Sequence, residues 1–469
     1  MRPANEKQKS RTPASAAAAP AKKRLGLWMA TALVIGNMIG SGVFLLPASL
    51  AGAAGPIAIV AWLITGAGSL LLALVFANLS RTFPRTGGPY VYARQAFGDF
   101  IGFQTAWGYW IAIWAGNAAI AVAFVGYLTV FWPALAANNL LAALVAIAAV
   151  WLLTVTNSVG VREAGMIQLV TTVLKYVPLA VIGIVGLFFV NPDHFRPFAP
   201  YGVWNGITAG ATLTLWAFLG LESATIPAEE VEDPERTIPR ATIIGTLAVT
   251  LVYLLTTVAI MGVIPTEILA TSASPFADAA AVIFGSAWAG QLVAVTALIA
   301  TFGALNGWIL LQGRVPLAAA QDGLFPQRFA QVHPRWQTPI FGLVVSSVLI
   351  TVLLLMNYSR SLVEQFNLVI LLATLTTLVP YAYSAGAQIY FYYTDRERFS
   401  GRNLRRDTLI AALAFAYSIW AMIGAGTDVI ANGFILLMLS ILVYVYLKWR
   451  AQQEPITAAA GVPERSIVP

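Results

Sequence analysis

The sequence predicts an all-α polytopic membrane protein with twelve transmembrane helices. Of its 469 residues, 59% are hydrophobic and 10% charged, whereas an ordinary soluble domain carries about a quarter charged residues. Mean hydropathy is +0.77. Apolar runs of roughly 20 residues or more recur along the whole chain, the length that a hydrocarbon layer of about 30 Å demands of a helix.

Spans are expected near 27 to 53, 57 to 80, 99 to 127, 139 to 157, 164 to 190 and 205 to 227. Six more follow near 240 to 264, 280 to 312, 338 to 357, 361 to 387, 408 to 427 and 429 to 447. With the N-terminus inside, all but three of the 27 basic residues fall on the cytoplasmic side: Arg196 and Arg360 lie outside, and Lys175 lies within a span. That bias is the positive-inside rule and places both termini in the cytoplasm of a cell membrane protein. It also accounts for the net charge of +7 without any nucleic-acid partner. Residues 1–24, rich in Pro, Ala, Lys and Arg, and residues 451–469 read as disordered tails flanking a twelve-helix membrane domain over 25–450. Segments 228–240 and 394–407 read as cytoplasmic connectors.

Some chemistries are closed to this composition. There is no cysteine, so disulfides and thiolate metal ligation are excluded. The two histidines, His194 and His333, fall in expected loops, and no metal or cofactor is anticipated. An enzyme needs paired acids, metal ligands or a nucleophile with its base, which Glu222 as the lone acid away from the span ends does not supply. A channel needs a polar lining or a ring of charge, and the spans show none.

The first span carries an internal contradiction. In "VIGNMIGSGVFLLPASLAG" (Val34 to Gly52) the middle holds Gly36, Gly40, Ser41 and Gly42, a loop composition. Unpaired backbone groups cost several kcal/mol in hydrocarbon, so irregular backbone there survives only beside a polar cavity. Freed amides at a half-helix N-terminus suit a carboxylate. The competing reading is a small-residue face for close helix packing. The sixth span, "TLWAFLGLESATIPAEE" (Thr214 to Glu230), sets Gly220 and Glu222 inside another apolar run. Interruptions at matching places in two halves point to an inverted-repeat secondary transporter with a midplane site.

Several runs in register resemble one family. "GNMIGSGVFLLPASLA", "TGGPYVYARQAFG", "YWIAIWAGN", "LWAFLGLESA", "SASPFADAA" and "NGWILL" are similar to motifs of the amino acid/polyamine/organocation transporters, with a particular likeness to bacterial arginine/agmatine antiporters over about residues 25 to 450. The resemblance implies a five-plus-five inverted repeat with broken helices 1 and 6, spans 1, 2, 6 and 7 rocking against the rest, and a homodimer. It implies that Gly40, Ser41 and Gly42 hold a substrate carboxylate beside Met38, and that carbonyls from Trp216 to Leu219 take the amino group. Trp216 then gates the site and Trp308 stacks on the substrate side chain. Ala112, Ile113 and Asn117 face the substrate head. Tyr90, Tyr109 and Glu222 serve gating and coupling.

Two departures bear on the substrate. Ile370 and Leu371 stand where those antiporters carry serines near the substrate head, which weakens a preference for cations. Lys175 stands where they carry an apolar residue, and resembles the lysine of sodium-independent, proton-coupled amino acid transporters. A snorkelling lysine is the plainer reading, but Lys175 lies about eleven residues from either end of its span. Trp308 competes with thirteen other tryptophans that serve interfaces and packing. Asn117 is as well suited to helix–helix bonding as to substrate, and Glu222 to a buried pair. The expected function is secondary active transport of an amino acid, by exchange or with protons. Exchange of arginine, agmatine or polyamines is the alternative, and a transporter-like sensor without flux shares every feature except flux.

Overall fold

The computed structural model describes residues 25–459 apart from 86, 160–163, 227, 229, 230, 337, 398, 400–402 and 425. For 41, 164–170, 428 and 451–459 only the backbone is described. The expected tail at 1–24 and the last ten residues, 460–469, of the expected tail at 451–469 lie outside the described residues.

The described residues are helical nearly throughout. Span 1 is split into α1 (Leu27–Met38) and α2 (Ser41–Ala53), followed by α3 (Ala58–Thr82), the short amphipathic α4 (Pro89–Phe97) and α5 (Asp99–Leu128). Next come α6 (Ala134–Ala137), α7 (Asn139–Val159), α8 (Ala164–Gly186), α9 (Val203–Trp216) and α10 (Pro234–Val263). The chain closes with α11 (Thr266–Leu269), α12 (Pro275–Phe284), α13 (Ala287–Gln321), α14 (Ile340–Asn357), α15 (Leu362–Thr394), α16 (Leu404–Gly424) and α17 (Thr427–Ala459). Eleven helical runs among the described residues are long and apolar enough to cross a membrane.

Three spans differ most from expectation. The sixth span, expected over 205 to 227, is helical only from Val203 to Trp216. Beyond it the chain turns irregularly through Gly220 (φ +105°) and a short 3-10 turn at Ser223–Thr225, so it is not among the eleven. The eighth span, expected over 280 to 312, runs Ala287–Gln321; the residues before it form the separate α12, ended by Gly285 in the left-handed region. The last helix continues to Ala459, past the expected boundary at 450.

The molecule has a membrane protein's polarity. Leu63, Leu152, Val155, Leu251, Leu292 and Leu442 are exposed, while Thr65, Asn117, Lys175, Glu222 and Gln312 are buried. Buried polar groups must therefore find partners within the helix bundle.

Candidate functional site

The two helix breaks meet. α1 ends at Met38 and α2 begins at Ser41. A Cβ on Gly40 would lie 3.2 Å from Ala304 Cβ, and one on Gly42 would lie 3.0 Å from the Ala217 backbone, so glycine is what lets the second break approach the first. At Gly220 the positive φ itself favours glycine, and a Cβ there would lie 3.1 Å from Asn37. Asn37 Nδ2 donates to Ser223 Oγ at 2.9 Å, directly linking the breaks.

The carbonyls released by the breaks have found side-chain donors. In an unbroken helix Gly40 N–H would donate to Gly36, but it donates to Met38 O instead. Gly36 O accepts from Lys175 Nζ at 2.6 Å, and Lys175 is 1% exposed. Likewise Leu221 N–H donates to Phe218 O rather than to Ala217 O. The Tyr253 hydroxyl lies 3.0 Å from Ala217 O and 2.7 Å from Met38 O.

Beside the breaks lies a closed cleft lined by Tyr109, Ala112, Ile113, Gly116, Ile120, Trp216, Leu219, Glu222, Trp308 and Thr377. Its space open to a water-sized sphere is about 10 Å³, room for about one water, so its walls must part to admit a larger molecule. Trp308 Nε1 reaches Asn37 O at 3.4 Å. A Cβ on Gly116 would lie 2.8 Å from the Trp216 ring, which shows how closely that indole is fitted.

Glu222 is the one carboxylate lining the cleft. Tyr109 Oη donates to Oε1 and Tyr381 Oη to Oε2, both at 2.6 Å, and Gly220 N–H donates to Oε2 at 3.2 Å. One carboxylate thus joins α5 and α15 to the sixth-span break, without a cationic partner among the described residues. Removing it would leave two buried hydroxyls unpaired, at roughly 1–3 kcal/mol each.

Seven residues singled out from sequence share the cleft: Tyr109, Ala112, Ile113, Trp216, Leu219, Glu222 and Trp308. Gly40, Gly42 and Met38 stand at the first break, with Met38 contributing its carbonyl. The Ser41 backbone opens α2; its side chain lies outside the described residues. Asn117 does not line the cleft: Nδ2 donates to Gln312 Oε1 at 2.7 Å. Leu371 is off the cleft as well, and Ile370 is buried in the core. On α15 the cleft residue is Thr377, six positions further on and about 9 Å along the axis. Tyr90 sits apart, donating to Asp322 Oδ2 at 2.7 Å, where Arg94 Nη1 also arrives at 2.8 Å. Burial and the Asp322 carboxylate push the Tyr90 phenol up, so it remains a hydrogen-bond donor at physiological pH.

Tyr253, Tyr381, Thr377 and Gln312 went unnoticed in the sequence. A tyrosine or glutamine in the middle of an apolar span is the signal that marks three of them, because each must reach a polar partner. Thr377 carries no such signal, since its hydroxyl bonds back to Ala373 O in its own helix.

An all-helical, multi-pass bundle whose two discontinuous helices meet at a closed, aromatic-walled cleft has the form of a secondary transporter. Residues 25–457 match the amino acid permease family. The chain belongs to that family, within the amino acid/polyamine/organocation transporters. It is 35% identical to a proposed arginine/ornithine antiporter of Bacillus subtilis, over 92% of this chain and 98% of that protein. It is 34% identical to a cadaverine/lysine antiporter of Escherichia coli K12, over 90% and 94%. It is 32% identical to a putrescine transporter of Haemophilus influenzae, over 91% and 98%.

Proposed function

We propose that this protein exchanges a basic amino acid for an amine, by alternating access to the cleft at the two helix breaks. The cleft's composition carries this reading: two indoles on apolar walls and one buried carboxylate. A desolvated cation over an indole face gains up to about 2 kcal/mol, and Glu222 supplies the opposite charge. The antiporters and the putrescine transporter similar to this chain are all named for compounds that carry cationic amines. An amino acid's carboxylate would meet the backbone amides of Ser41 and Gly42, which open α2 at its positive end. An amine without a carboxylate uses the rest of the same site, so one cleft serves both partners. Both termini face the cytoplasm, where the basic residues concentrate.

Lys175 favours a second reading. Its ammonium on a break carbonyl suits a residue that gains and loses a proton as the first span moves, which would make the protein a proton-coupled amino acid permease. Counterflow in proteoliposomes separates the two. Vesicles are loaded with lysine, ornithine, arginine, alanine, cadaverine and putrescine, and labelled compounds are offered outside. Exchange predicts entry of basic amino acids and diamines only against a loaded partner. Alanine entry driven by a pH gradient into empty vesicles would support the permease, and no entry of any compound would leave a sensor.

A further inference from the structure

Tyr253 lies in α10, the seventh span, and is fully buried. Its hydroxyl is within hydrogen-bonding distance of one released carbonyl at each break, Met38 O and Ala217 O. Its ring packs 5.0 Å from Trp62 on α3 and 5.6 Å from Phe218, just past the sixth-span break. Trp62 and Phe218 also touch each other, with centroids 5.8 Å apart. One side chain of span 7 therefore reaches spans 1, 2 and 6.

We propose that Tyr253 is a positioning residue that binds spans 1, 2, 6 and 7 into one moving body, so that the two breaks, and the cleft walls they carry, shift together during exchange. The proposal rests on the alternating-access reading above. A tyrosine hydroxyl has a single proton to give, here shared between two acceptors. Moving either break alone would pull one carbonyl away from that oxygen, whereas moving both with α10 preserves the geometry. The Asn37–Ser223 bond runs in parallel. Trp216, which immediately precedes Ala217, lines the cleft, so the tie acts one residue from a wall that must move.

The test uses Tyr253→Phe, which keeps the ring packing and removes the hydroxyl. The chain has no cysteine, so spin labels can be placed directly at Trp28 and Val203, exposed starts of the first and sixth spans, and at Val352 on α14 as an outside reference. In the wild type the 28–203 distance should stay single and narrow with and without saturating lysine, while 28–352 changes. In Tyr253→Phe the 28–203 distribution should broaden or split, and exchange at saturating substrate should fall about tenfold with KM changed less than threefold. A narrow 28–203 distance with unaltered exchange would overturn the proposal, as would rate, affinity and melting temperature falling together with no broadening. If Tyr253→Phe cannot be purified, the wild-type pairs still decide: equal lysine-induced change in 28–203 and 28–352 refutes a single body. Should the wild type exchange nothing, the functional reading fails, while the widths of the 28–203 distributions in both proteins still judge the tie.

Discussion

Two buried polar clusters lie within a few turns of each other and are built in opposite ways. At the breaks of spans 1 and 6 the backbone is open, and Lys175 and Tyr253 bond to the carbonyls that helix geometry has released. Between α5, α7, α13 and α14 the backbone is closed and the bonds run largely between side chains. Asn117 donates to Gln312, Gln312 Nε2 donates to Ser347 Oγ at 2.9 Å, and the Ser347 and Thr154 hydroxyls lie 2.6 Å apart. Trp110 Nε1 donates to Ser346 Oγ at 2.8 Å beside them. The first cluster fixes backbone groups at the breaks beside the cleft; the second fixes intact helices to one another. A polar residue in mid-span thus has two distinct uses, and the state of the local backbone tells them apart.

The largest expected effect comes from the open cluster. Lys175→Ala leaves Gly36 O without its donor in a site closed to water, and should abolish exchange or remove its dependence on pH. Counterflow measured across a range of pH checks this. Wild-type rates with a wild-type pH profile would move Lys175 out of the mechanism and blur the contrast between the clusters. Next in size is Gly220→Ala. Its backbone conformation and the 3.1 Å approach to Asn37 impose strain of about 1–3 kcal/mol, so exchange should fall roughly tenfold or more while the protein remains monodisperse.

The closed cluster should behave differently. Gln312→Leu removes donors and an acceptor from a brace whose residues do not line the cleft, leaving Asn117 Nδ2 without its acceptor at roughly 1–3 kcal/mol. The thermal midpoint should drop, with KM for lysine changed less than about twofold. A KM shift without a loss of thermal stability would place Gln312 in recognition and collapse the distinction.

The same distinction explains what the sequence disclosed. Glycines, and Glu222 beside one of them, gave both breaks away, because an interruption is visible in a single apolar run. Lys175 was legible for a related reason: a charge so far from either span end needs a partner. The sixth span's end at Trp216 was not legible, since Ala217 to Leu221 is as apolar as the helix before it and its change to turns closed over three residues leaves no mark in composition. Asn117 was assigned to the cleft by resemblance, and Gln312, a full turn beyond Trp308, holds its amide elsewhere. Leu371 shows the same weakness from another side: likeness locates a helix, but a shift of a few residues decides which side chain faces the cleft.

The smallest effect, and the sharpest on substrate, concerns Trp308. Its indole has two possible uses: a face for a cationic side chain, worth about 0.5–2 kcal/mol, and an N–H at 3.4 Å from Asn37 O, too long to contribute much. Trp308→Phe keeps an aromatic face and loses the N–H, whereas Trp308→Leu loses both. If the face recognises the substrate, Trp308→Leu should raise KM for lysine and cadaverine by about three- to tenfold, more than for any neutral amino acid the cleft accepts, with Trp308→Phe lying between it and the wild type. Equal shifts for charged and neutral compounds would reduce Trp308 to packing. A Trp308→Phe variant as impaired as Trp308→Leu would instead assign the residue to the first break through Asn37, making it a member of the open cluster rather than a wall of the cleft.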